Sequence, residues 1–278
     1  MSLTINTNIM SLNAQRNLNS SQNALAKSMQ RLSSGLRINS AADDAAGLAI
    51  GTNFSAQNVS LNQAVRNAND GVSMAQTAEG SLNATSNILV RMRELATESA
   101  NGTLGSSDRS YIQNEFNQLS SEIDRIANAS NFNGIPLLNG SLSGAGITFQ
   151  IGSYNVAAND QITIQISSAK ANDLGLTNAV TLSTQLGAQS ALNTIDSAIQ
   201  SLSTLRSNLG ATQNRLQSTI SNLQVSVENN TAAESRIMDV DVAAETANLT
   251  RANILTQAGV SILAQANQTS SAALKLLQ

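Results

Sequence analysis

Apolar residues recur every seven positions through three long stretches of the chain. Leu61, Ala68, Ala75, Leu82, Leu89 and Ala96 mark the first, with Val65 and Val72 in the companion position. Ile112, Leu119 and Ile126 mark the second, with Phe116 and Ile123 between them. Ile195, Leu202, Leu209, Leu216 and Leu223 mark the third, accompanied by Ile199, Ile220 and Val227. A repeat of this kind lays one apolar seam along a gently supercoiled helix. It predicts helices over about 43–99, 107–130 and 188–230. The first seam covers roughly 57 Å and the third close to ~60 Å at 1.5 Å per residue, lengths that suit side-by-side packing. The turn-rich stretch NGTLGSSD precedes the second helix, with Ser107 as its expected N-cap.

The period falls to two between about 140 and 180. ITFQI, from Ile147, alternates apolar and polar positions, and QITIQI does the same through Ile162, Ile164 and Ile166. Gly152, Asn159 and Asp160 lie between the runs, so the region predicts a β-hairpin.

The two chain ends form a further pair of amphipathic segments. Leu25, Met29, Leu32 and Leu36 follow 4-3-4 spacing near one end, and Leu249, Ile254, Leu255, Ile262 and Leu263 define an apolar face near the other. Neither segment buries its stripe alone, and an isolated helix of this kind is marginal in water. The ends are therefore expected to pair with each other or with other molecules, loosely ordered in the monomer and ordered in an assembly. The predicted organisation is mainly α. Residues 1–42 with 236–278 form a terminal coiled coil, and 43–235 form a helical rod carrying the small hairpin region.

Composition removes much chemistry. The chain has no His and no Cys, so a Ser-His-Asp triad, a thiol nucleophile and a His/Cys zinc site are all excluded. Aromatics are only 2 %, and the apolar residues are mostly Ala, Leu, Ile and Val, which favours close helix packing over a thick core. A single proline, Pro136, leaves long helices uninterrupted. The net charge of −3 gives no basic field for nucleic acid. No run of about 18 apolar residues predicts a transmembrane helix. The N-terminal stretch lacks a basic region followed by an apolar run, so no cleavable export signal is expected.

Adjacent carboxylates at Asp43 and Asp44 raise the possibility of a paired-acid or metal site. With no His or Cys to complete it, a joint between helices fits better. Gly35 suits a helix end. Ser40 with Asp43 three residues on reads as a capping box, placing both carboxylates in the first turn of the next helix. Residues 1–40 contain Arg16, Lys27, Arg31 and Arg37 but no acid, which points to contact with an acidic partner segment.

The same stretch, RLSSGLRINSAADDAAGLAI, resembles the N-terminal conserved region of bacterial flagellins. The resemblance continues in NANDGVSMAQTAEGSLN, LVRMRELATESANGT and SEIDRIANASNFNGIPLLNG, and FQIG fits the hairpin region. Towards the other end, GATQNRLQSTISNL, AAESRIMDVDVAAE and ILTQAGVSILAQAN are similar to the C-terminal conserved region. It runs through nearly the whole chain in order.

The resemblance implies a non-enzymatic structural subunit that polymerises into the extracellular flagellar filament for swimming motility. A hook–filament junction protein is the alternative. It implies a short form with no large outer domain, no cofactor, and export through the flagellar type III apparatus with a chaperone on the C-terminal helix at Leu274 and Leu277. Implied partners are further copies of the chain, hook-junction and filament-cap proteins, and an animal Toll-like receptor. Arg91 and Leu95 match receptor-bound positions, and Glu115 matches an acidic position on the neighbouring helix. Leu25, Met29, Leu32, Leu36, Leu249, Ile254, Ile262 and Leu263 are the expected assembly seam of the terminal helices.

Overall fold

The computed structural model describes residues 7–177 and 180–275, with side chains described through Gln268. The elements in order are α1 (Ile9–Ser34), α2 (Ala45–Ser99), α3 (Ser106–Ala129), β1 (Asn131–Phe132), β2 (Ile135–Pro136), β3 (Ile147–Gln150), α4 (Ala157–Asp160), β4 (Gln161–Ile164), α5 (Gln185–Met238) and α6 (Val242–Lys275). They form two compact units. One comprises the residues through Ala56 and from Asn229 onward, and the other comprises Gln57–Glu228. The boundaries fall inside α2 and α5, whereas the change in sequence character suggested 42/43 and 235/236.

In the unit Gln57–Glu228 the heptad seams become the core. Ala68, Ala75, Leu82, Leu89 and Ala96 of α2 are fully buried, as are Ile195 and Leu216 of α5, with Leu202 and Leu209 nearly so. Ile112, Phe116 and Ile123 place α3 on the same cluster. The alanines let the helices approach closely, and the leucines fill the layers between them.

The expected hairpin is present as β3 and β4, paired antiparallel with Ile147 opposite Ile164 and Phe149 opposite Ile162. Thr148 and Thr163 share a cross-strand hydroxyl contact at 3.0 Å. Among the described residues, the rest of the 140–180 region holds the short helix α4 and otherwise irregular chain, which buries Ile166, Ala169, Ala171, Leu174 and Leu176 against the helices. Its backbone is held from outside: Ala171 N–H donates to Asp124 Oδ1 at 2.9 Å and Ala169 N–H to the Leu138 carbonyl at 2.9 Å. A second, two-residue hairpin, β1–β2, was not anticipated. Asn133 and Gly134 both take positive φ in its turn, the conformation that an Asn-Gly pair accepts most readily.

Helix starts differ in detail from expectation. α3 begins at Gly105 rather than Ser107, because Asp108 turns back to accept the Gly105 N–H at 3.2 Å. α2 begins after the acid pair rather than through it. Asp44 is the capping residue, its Oδ1 accepting the Gly47 N–H at 2.9 Å, and Asp43 stays in the preceding loop.

The outer faces of α2 and α5 are rich in hydroxyls that bond to their own helix. Ser73 donates to the Asn69 carbonyl at 3.0 Å, Thr77 to Ser73 at 2.9 Å, Thr204 to Gln200 at 2.9 Å and Ser221 to Gln217 at 3.1 Å. These faces satisfy their polar groups locally, with few formal charges.

Candidate assembly interface

The unit built from the two chain ends is an antiparallel helix pair. α1 packs along α6. The register is fixed at three points. The Asn8 side chain donates to the Ala266 carbonyl at 2.8 Å, Leu18 lies against Gly259, and Arg31 approaches Glu245 at 3.6 Å. Asn8 is also the N-cap of α1, its Oδ1 accepting the Ser11 N–H at 3.0 Å. Gly259 packs closely: a Cβ there would sit 3.2 Å from Leu18 Cδ1, which would have to shift by a few tenths of an ångström.

The seam between these helices mixes leucines with small residues. On α1 the half-buried or buried positions, apart from Arg31, are Ser11, Ala14, Leu18, Ser21, Leu25, Ser28 and Leu32, an alternation of three and four. On α6 they are Glu245, Leu249, Ala252, Thr256, Gly259, Leu263 and Ala266, with the same alternation. The eight residues expected as one seam therefore divide. Leu25, Leu32, Leu36, Leu249 and Leu263 are partly buried within the chain. Met29, Ile254 and Ile262 are 58 %, 61 % and 60 % exposed. These three lie off the register that α1 and α6 bury against each other and face outward. Small residues such as Ser11, Ala14, Ser28, Ala252 and Thr256 complete that intrachain register.

A set of large apolar side chains is left uncovered. Ile9, Met10 and Leu12 join Met29 on α1, and Leu255 and Val260 join Ile254 and Ile262 on α6, each more than half exposed. Met10 and Ile262 line a shallow groove floored by Ala14 and Ala266. Of the tail, the side chain of Leu274 and the whole of Leu277 lie outside the described residues.

Lys27, Arg31 and Arg37 find partners at or near a joint, whereas Arg16 donates to the Asn13 side chain within α1. α1 ends at Gly35, whose φ of +73° is left-handed and whose N–H donates to the Arg31 carbonyl at 2.9 Å. The chain then forms a short antiparallel bridge, Leu36 to Asp239, supported by Val240 N–H to the Gly35 carbonyl at 3.0 Å. Arg37 donates to the Ile237 carbonyl at 2.6 Å. Lys27 meets Asp43 at 2.6 Å. On the far side, Asp241 caps α6, accepting from the Ala243 and Ala244 N–H groups at 2.9 and 3.1 Å. Substituting Gly35 with alanine is expected to destabilise this joint by about 1–2 kcal/mol, the cost of holding a Cβ in the left-handed region. Thermal unfolding of the variant would measure it.

Asp43 titrates abnormally. The Lys27 ammonium bonded to it, helped by the Asn39 N–H and the Ser40 hydroxyl, lowers its pKa from 3.8 to about 2. Because the folded value is depressed, the stabilisation is present above the unfolded value and is lost as pH falls from about 4 towards 2. Protection of the backbone amides around Asn39–Asp44, measured against the intrinsic exchange rate at each pH, is expected to fall over that window in the native protein. In Asp43→Asn the window should vanish and protection should be low throughout.

In the other unit, Arg91 and Glu115 form an exposed ion pair at 2.9 Å between α2 and α3, and Arg91 also contacts Glu94 at 3.0 Å. Leu95, expected at the edge of that surface, is 1 % exposed. It belongs to the core because it sits beside the Leu89–Ala96 seam.

Two family models match the chain. The bacterial flagellin N-terminal helical region matches residues 5–143, and the bacterial flagellin C-terminal helical region matches residues 192–277. A flagellin from Halalkalibacterium halodurans is 45 % identical over 277 residues, covering 99 % of each chain. A flagellin from Bacillus subtilis is 42 % identical over 305 residues, again covering 99 % of each. Among solved structures, the Bacillus cereus flagellin crystal structure aligns with a TM-score of 0.50 at 33 % identity, over 57 % of this chain and 88 % of that one. Among the described residues, no helix is long and apolar enough to cross a membrane. The chain belongs to the bacterial flagellin family and is a non-enzymatic structural subunit of the flagellar filament.

Proposed function

We propose that the chain polymerises by burying the outward apolar faces of α1 and α6 against neighbouring copies. The observation that carries this reading is the uncovered set Met10, Met29, Ile254 and Ile262 on a helix pair whose own seam buries other residues. No other described part of this unit covers them, and removing such a face from water drives association. The contact is heterologous, since one face meets a different face of the next copy, and it does not close into a ring.

The finer partners follow the family. Hook-junction and filament-cap proteins would meet the same terminal helices. An export chaperone would cover the C-terminal helix near Leu274 and Leu277 before secretion through the type III apparatus. An animal Toll-like receptor would engage the exposed Arg91–Glu115 pair, with buried Leu95 holding that turn of α2 in place.

Purified monomer seeded with short filament fragments tests the assembly reading by negative-stain microscopy and circular dichroism. Long uniform tubes with a gain in helical signal are expected. Particles that stay discrete, with full helicity already present, would overturn it.

A further inference from the structure

The methionines are distributed unevenly between core and surface. Among the described residues, Met74 and Met92 are buried to 1 % exposure or less, and Met238 is half-buried with its Sδ against Gly51. Met10 and Met29 are each 58 % exposed. Both lie on α1, one on either side of the seam: Met10 immediately precedes Ser11, and Met29 immediately follows Ser28. Met10 also lines the groove shared with Ile262.

We infer that Met10 and Met29 form an oxidation-sensitive site that controls assembly, an inference that rests on the assembly reading above. Thioether sulfur is the most readily oxidised group here, because the chain has no Cys. The oxidant is a peroxide. A sulfur lone pair attacks one peroxide oxygen, an S–O bond forms and the O–O bond breaks. The departing hydroxide takes up the proton from the new S–OH group, leaving one sulfoxide and one water. Sulfur loses two electrons and peroxide gains them.

The product carries a strong dipole where the assembly face needs an apolar surface. In the free monomer water solvates the sulfoxide, so the fold is undisturbed. In an assembled copy the S–O group must leave water for a contact made by apolar side chains; beside Met10 the amides of Asn13, Asn17 and Gln265 offset only part of that cost, and contact is weakened. Reversal by methionine sulfoxide reductase restores the thioether. The core residues Met74 and Met92 are shielded, so oxidation acts on association rather than on folding.

The test treats purified monomer with hydrogen peroxide, maps sulfoxides by peptide mass spectrometry and measures seeded growth. Met10 and Met29 are expected to oxidise before Met74 and Met92, with unchanged circular dichroism. The concentration needed for growth should rise roughly tenfold or more per sulfoxide. Reductase treatment should restore growth, and a Met10→Leu/Met29→Leu double variant should grow in peroxide as untreated protein does. Preformed filaments should resist oxidation at both positions. Oxidised protein that grows normally, or a double variant that is equally impaired by peroxide, would overturn the inference. Untreated protein that never grows on seeds would instead remove the assembly reading, and the inference with it.

Discussion

Replacing Ile254 and Ile262 with serine is expected to stop filament growth at concentrations where the native chain polymerises, while leaving the monomer's helical signal unchanged. Both side chains are about three-fifths exposed, so neither supports the fold of its own chain. Fully burying a large aliphatic side chain is worth about 1.5–3 kcal/mol, and burying the exposed three-fifths of two per subunit gives roughly 2–4 kcal/mol. At 1.4 kcal/mol per tenfold, the critical concentration should rise roughly 30- to 700-fold. Sedimentation of seeded reactions across a concentration series measures it. Growth at the native concentration would show that the outward faces are not what neighbouring copies bury. Serine at Leu249 or Leu263 is a different experiment, since those residues already pack within the helix pair.

The second large effect lies in the unit Gln57–Glu228. Leu89→Ala and Leu202→Ala each open a cavity in a core where the native side chain is at most 1 % exposed. Each should lower stability by about 2–5 kcal/mol, the range for truncating a buried leucine. Val59→Ala, at 66 % exposed on the same helix as Leu89, should stay within about 0.5 kcal/mol of the native protein. Urea unfolding followed by circular dichroism separates these outcomes. A Leu89 variant as stable as the Val59 variant would mean that the heptad seam does not carry the fold.

The helical seams were legible because they repeat. Leu82, Leu89 and Ala96 announce themselves at spacing seven, and each is buried as that spacing requires. The seam within the terminal helix pair is legible in its leucines, Leu25, Leu32, Leu249 and Leu263, and obscure in its small members, Ser11, Ala14, Ser28, Thr256 and Gly259, which hydropathy scores as neutral. The stretch from Gln165 to Thr184 was illegible for another reason. Ile166 ends the period-two run, but beyond it the buried Leu174 and Leu182 follow no period, and long-range bonds such as Ala171 to Asp124 hold the backbone. Only the tertiary fold supplies those partners. At the acid pair the residues were read correctly as a joint. Their division into one helix cap and one ion pair depended on Lys27, sixteen positions before Asp43 along the sequence, which spacing alone does not single out.

The self-bonded hydroxyls on α2 and α5 bear on how copies tolerate one another. A surface that meets its hydrogen-bonding needs through its own backbone presents few fixed charges, and only 12 % of this chain is charged. Charged surfaces of like sign repel when stacked by the thousand, and such repulsion is relieved only by counterions. Here the outer faces of α2 and α5 carry hydroxyls bonded to their own helices, and charges on them are balanced in opposite-sign pairs such as Arg91–Glu115 and Arg93–Asp196. Crowding them together therefore builds up little electrostatic pressure, and a polymer made from them should hold its length in dilute and saline media alike.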